Sequence, residues 1–257
     1  MRNNTSISIL PEPKHEIKLE DYYPFDISDY DLTNDKDARK YFFDIERICR
    51  NSFSYKRLIS FLREYVDMNS CSFFENINNI DTSSIRIHIH HSPLTLFDIV
   101  TTVFRKRSAL KQPLNVNLTA KEVMWIHYRL LIGLIPLSET VHELAHSGYL
   151  FIPTNVVFGN YQQFIKEYEL YLDPQVISTL QKSEEYTKTY DYIKETKILN
   201  MNMVYIDPSG AYKLPRLEEL ATALQQHIKD YDSKILKVQL DNGKNLKEGE
   251  SDENIPS

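Results

Sequence analysis

Six of the eight histidines fall between His88 and His146, and they come in two spacings that no single element can satisfy. In "SSIRIHIHH", Ile85, Ile87 and Ile89 alternate with Arg86, His88 and His90. Residues two apart share a face of a strand, so this stretch predicts a half-buried strand whose open face carries histidines. His91 ends the strand, where a side chain can turn toward a site. In "SETVHELAHSG", His142 and His146 are four apart and share a face of a helix. Ser138 is the expected N-cap and Gly148 the expected C′ residue, so that helix is short. Neutral imidazoles on one helix face and one strand face suit zinc or a transition metal better than calcium. Magnesium is admitted if carboxylates or phosphates join them.

The remaining pattern is mostly helical. "DARKYFFDIERICRNSFSYKRLISFLREYVDM" has apolar residues at helical spacing and predicts one or two amphipathic helices. "SPLTLFDIVTTVFRKRSAL" predicts a helix whose start is marked by Ser92 and Pro93. "TAKEVMWIHYRLLIGL" predicts another, capped by Thr119 with Glu122 three residues on. "GLIPL" is short enough for a strand, "YLFIP" reads as extended, and "YQQFIKEYELYL" as helical. "NMVYIDPSGAYKLP" predicts a hairpin and "RLEELATALQQHIKDYDSKIL" a helix.

Composition narrows the function classes. With 6 glycines among 257 residues, a glycine-rich nucleotide loop is not expected. Two cysteines, Cys49 and Cys71, exclude a disulfide framework and a four-cysteine zinc site, and point to an intracellular chain. The N-terminus has no apolar signal core, and no apolar run reaches membrane-span length. A net charge of −6 disfavours a bulk electrostatic nucleic-acid binder. The charge is uneven, however: "EDYYPFDISDYDLTND" and "EGESDEN" hold much of the acid, while "FRKRSALK" is compactly basic. The abundance of Lys, Asn, Ile and Tyr suits an AT-rich genome such as that of many phages.

His-Glu-x-x-His is the signature of zinc proteases, in which His142 and His146 would bind zinc and Glu143 would be the general base. Glu167 and Glu169 are the candidates for a third ligand by distance along the chain. That reading leaves "HIHH" unexplained and places the motif on a shorter helix than such proteases use.

"GLIPLSETVHELAHSG", taken with "HIHHSP" upstream, resembles the HNH (ββα-metal) endonuclease family, including phage-encoded HNH-like proteins. The Ile-Pro-Leu, both helix histidines and the closing glycine match the family frame, and the His-His pair is similar to its first histidine strand. The resemblance implies a general base at His91 and metal ligands at His90, His142 and His146. It also implies one divalent ion (Mg, Mn, Ni or Zn), DNA as substrate and partner, phage proteins as further partners, no membrane, and a place in the cytoplasm of an infected host. Two departures stand out. The family's central Asn, which orients the base, falls at Gly133, with Asn115 and Asn117 nearby in sequence. Its paired cysteines are replaced by Ser138 and Val141. Loss of the Asn leaves an inactive HNH-like accessory or nucleic-acid-binding protein as an alternative.

His88, His127, Arg105 and Arg107 are candidates for supporting the metal or contacting substrate. Each has a plainer reading: a surface residue for His88, a satisfied core histidine for His127, and a solvated helix face for the arginines. The expected architecture is α+β. An irregular acidic segment (1–35) and a helical region (36–80) precede a ββα-metal core with a long helical insertion (81–172). A small C-terminal lobe (173–240) and a disordered tail (241–257) follow.

Overall fold

The computed structural model describes residues 30–74, 77, 85–189, 219, 220 and 222–234. It is an α+β arrangement dominated by helices around one two-stranded antiparallel sheet. Helices α1 (Asp35–Asn51) and α2 (Phe53–Glu64) come first, then strand β1 (Ile87–His91). Helices α3 (Leu96–Ala109) and α4 (Val116–Tyr128) intervene before strand β2 (Leu134–Ser138), and α5 (Glu139–His146) starts as β2 ends. Helices α6 (Tyr161–Tyr168) and α7 (Pro174–Thr187) follow, and residues 222–234 are helical.

Local chemistry sets the boundaries. Ser52 takes an extended conformation, donates its hydroxyl to the Cys49 carbonyl at 2.7 Å, and accepts from the Tyr55 amide at 3.1 Å. One residue thus ends α1 and caps α2, which divides the long amphipathic stretch in two. The start of α3 corrects the expectation of Ser92 and Pro93. Thr95 is the N-cap, and it exchanges reciprocal bonds with Asp98 in a full capping box. Helix α4 is likewise capped not by Thr119 but by Asn115, whose side chain accepts from the amides of Asn117 and Leu118. Thr119 lies within the first turn, its hydroxyl donating to the Asn115 carbonyl. Glu122 bonds Lys106 and Arg107 on α3 instead of reaching back to the cap.

The main core lies where α1, α2, α3 and α4 meet, around fully buried Tyr41, Leu58, Phe61, Val103 and Met124. Leu220, Leu224 and Ile228 join this same core, so the last described helix packs on the N-terminal helices. It does so by ion-pairing Asp232 with buried Arg57 and setting His227 3.1 Å from the Ser60 hydroxyl. The predicted hairpin at 202–215 and the tail from 241 lie outside the described residues. A second, smaller core of Phe73, Ile135, Leu137, Val141 and Leu150 supports the sheet and α5. Cys49 and Cys71 are both buried free thiols. Among the described residues, no helix is long and apolar enough to cross a membrane.

In the sheet, His88 lies opposite Leu137, His90 opposite Ile135 and His91 opposite Leu134. Pro136 is tolerated because Leu134 exchanges backbone bonds with Phe158 on the outer edge of β2. Alternation turns Pro136 to that outer edge too, so its missing N–H removes no rung toward β1. The strands run on past His91, where the Ser92 amide donates to the Gly133 carbonyl at 3.0 Å. They approach so closely there that a Cβ on Gly133 would sit 1.8 Å from the Ser92 oxygen. Only glycine fits at 133 in this fold, so the position where the HNH frame has asparagine is closed to any side chain. At the far end of α5, Gly148 has φ +74° and takes the C′ position expected of it.

Candidate metal centre

The site is built from one strand and the helix that follows its partner strand. Alternation along β1 puts Ile87, Ile89 and His91 on one face and His88 and His90 on the other. Because α5 begins at the end of β2, it lies beside the face that carries His88 and His90. Val141 is fully buried in the smaller core and anchors that helix, while His142, the next residue, reaches the histidines of β1.

Three imidazoles converge. His90, His142 and His146 each offer a ring nitrogen, and these atoms lie within 4.8 Å of one another. The Nε2 atoms of His142 and His146 stand 3.1 Å apart, and the His90 ring meets both helix rings edge-on at 5.0 and 4.8 Å between centroids. Donors on one tetrahedral ion, each about 2.05 Å from it, stand roughly 3.3 Å apart. The helix pair already has about that spacing, and a ring nitrogen of His90 lies within 4.8 Å of both. His90 and His142 are half-buried and His146 is exposed, so the cluster opens to solvent on one side. Burial, then the neighbouring His142 and His146, pushes the His90 ring down to about 4. Burial, then His146 and His88, does the same to His142. Both rings are therefore neutral at pH 7, the form in which imidazole binds metal.

His88 belongs to the same face. Its ring stacks on His142 at 4.9 Å with 17° between planes, and its Nε2 is buried without a hydrogen-bond partner among the described residues. His91 departs from the expectation that it turns toward the metal ligands. It is 5% exposed, on the opposite face from His90, and its Nε2 lies 3.0 Å from Nε2 of His127 on α4. The reason is the unbroken alternation of β1, which continues to the last residue of the strand. His127 is fully buried, with its Nδ1 2.7 Å from the Val123 carbonyl and Tyr55 edge-on to its ring. Burial pushes His127 down to about 4 and holds His91 well below the usual histidine range. Arg50, at the end of α1, adds a smaller push in the same direction to His90, His91, His127 and His142. Nothing in the sequence near the histidines pointed to that cation.

The basic cluster has other work. Arg105 pairs with Asp173 at 2.5 Å, and Arg107 pairs with Glu122 at 2.8 Å while also bonding the Pro113 carbonyl. Both arginines tie helices and loops together. Glu167, a candidate third ligand for a zinc protease, is instead held by both guanidinium nitrogens of Arg129 and by Gln163. The third member of the cluster is His90, and among the described residues no carboxylate joins it.

A family model described as bacteriophage G278-like virion protein matches residues 4–241, most of the chain. No curated protein and no solved structure matches it.

Proposed function

The chain belongs to the bacteriophage G278-like virion protein family, and from that premise we propose that it is a virion-associated, metal-dependent phosphodiesterase of the HNH type acting on DNA. The observation that carries this reading is the convergence of strand residue His90 with His142 and His146 on the helix that follows the paired strand. Three imidazole nitrogen donors with an open side match a site that keeps a position for water or substrate, unlike a closed structural site. The donor set fits Zn or Ni better than Mn or Mg, because among the described residues no carboxylate contributes. The ion, when bound, supplies a Lewis acid for the scissile phosphate and its leaving oxygen.

The chain's own residues divide the remaining tasks. His90, His142 and His146 hold the cation in their neutral forms, and His88, stacked on His142, restrains that ring. His91 is the base: it takes a proton from the attacking water as the new P–O bond forms. The opposite P–O ester bond breaks, and the leaving oxygen takes a proton from solvent.

The test is nicking of supercoiled DNA by purified full-length chain with Zn²⁺, Ni²⁺, Mn²⁺ or Mg²⁺ in turn. Cleavage that is abolished in His90→Ala and His91→Ala supports the reading. No cleavage with any ion, or undiminished cleavage by His91→Ala, sinks it. The burial of His91 favours a second reading, in which the same fold holds a metal as a non-hydrolytic virion component. Metal binding through His90, His142 and His146 with no nicking would select that one.

A further inference from the structure

We propose that His127 is a positioning residue that fixes the tautomer of His91, holding its ring with Nδ1 as the only basic nitrogen. The use made of that nitrogen rests on the nuclease reading, but the tautomer itself follows from hydrogen-bond geometry. A carbonyl oxygen can only accept, so the His127 Nδ1 that lies 2.7 Å from the Val123 oxygen must carry the proton. A neutral imidazole has a single N–H, which leaves Nε2 of His127 as a bare lone pair. That lone pair faces Nε2 of His91 at 3.0 Å, so the shared proton belongs to His91 Nε2. The Nδ1 of His91 is then unprotonated.

The anchor for this chain is rigid. Val123 and His127 are one helical turn apart on α4, and both are fully buried in the core. The orientation of His91 is thus set by a helix 36 residues away in sequence, in the inserted region between the two strands. Residue 133 cannot perform this task, because the Ser92 carbonyl closes the space for any side chain there.

The experiment is side-chain nitrogen NMR on the metal-free full-length chain labelled with ¹⁵N-histidine, which distinguishes the two tautomers directly. The parent should show His91 protonated at Nε2 and His127 protonated at Nδ1. His91 protonated at Nδ1 in the parent would overturn the proposal without any variant being needed. In His127→Leu, His91 should lose its single tautomer and exchange between both forms. In His127→Gln, whose amide oxygen can accept near the old Nε2 position, the Nε2–H form should partly return. A His91 tautomer unchanged in His127→Leu also overturns it. If the parent nicks DNA, His127→Leu should lower kcat roughly 10–100-fold with KM unchanged, and His127→Gln should lose less. A parent that cuts no DNA yet shows these tautomers defeats the nuclease reading and supports the hold of His127 on His91.

Discussion

Restoring an asparagine at position 133 should weaken the protein rather than improve it. By sequence, Gly133→Asn supplies the residue that HNH enzymes use to orient their base. In the structure, the first atom of that side chain would lie 1.8 Å from the Ser92 oxygen and 2.7 Å from a Val157 methyl carbon. To reach the 3.0 Å below which real Cβ atoms essentially never approach, the Ser92 carbonyl must retreat by about 1.2 Å. The Ser92 amide donates to the Gly133 carbonyl across the same gap, so that retreat also breaks the bond that extends the sheet. Overpacking a filled site costs about 1–3 kcal/mol, and a lost backbone hydrogen bond costs roughly 1 kcal/mol more. The expected destabilisation is therefore about 2–4 kcal/mol. Urea unfolding measures it, as a lower midpoint at unchanged slope. Gly133→Ala should lose a similar amount, because the offending atom is Cβ and not the amide. A Gly133→Asn chain within about 0.5 kcal/mol of the parent would show that the strands do not approach as described.

Two further outcomes follow from the histidines. Calorimetric titration with Zn²⁺ or Ni²⁺ should show one ion per chain, with His90→Ala and His142→Ala each weakening binding, and thermal unfolding at 100 Kd of metal should show about 2.7 kcal/mol of added stability. Equal affinity in His90→Ala would remove the strand from the site. Stability should also depend on pH through buried His127, whose folded value is depressed to about 4 from its ordinary 6.5. The unfolded chain takes up that proton first, so the stabilisation is complete above about pH 6.5 and is lost as pH falls toward 4. The loss is on the order of 3 kcal/mol, and urea midpoints between pH 7 and 4.5 should fall less steeply in His127→Gln than in the parent. An equally steep fall in both would mean that His127 is not buried neutral.

What the sequence made legible was short-range. Alternation in "IRIHIHH" and the four-residue spacing in "HELAH" place His88, His90, His142 and His146 without reference to anything distant, and the closing Gly148 marks the end of α5. The errors came from competition between near neighbours. Thr95 with Asp98 makes a reciprocal pair that Ser92 cannot, and Asn115 reaches the first amides of α4 ahead of Thr119. Helix α7 has its start marked by Asp173 followed by Pro174, but its apolar face is too weakly marked for helical spacing to single it out. Long-range partners left no local trace. The sequence around Arg105 and Arg107 does not say that Asp173 and Glu122 will neutralise them, nor that Ser92 will close the space above Gly133.

His91 shows where strand periodicity says more than motif adjacency. A residue at the end of a strand can turn toward a site, yet the alternation of β1 runs through His91 and puts it on the opposite face from His90. Being on the other face does not disconnect it from the site. Ile135, opposite His90 in β2, and the helix that carries His127 are joined by the short segment 129–134, so β1 is gripped from both sides at once. On one side its partners are the half-buried His142 and exposed His146 of α5, and on the other the buried imidazole of α4. The long helical insertion between the strands, which looks foreign to a compact ββα motif, brings that second imidazole within 3.0 Å of His91. A shorter connection would leave His91 Nε2 without this partner. The insertion therefore positions His91, and shortening it should free the His91 tautomer, read by ¹⁵N-histidine NMR, even where the three-histidine cluster is left intact.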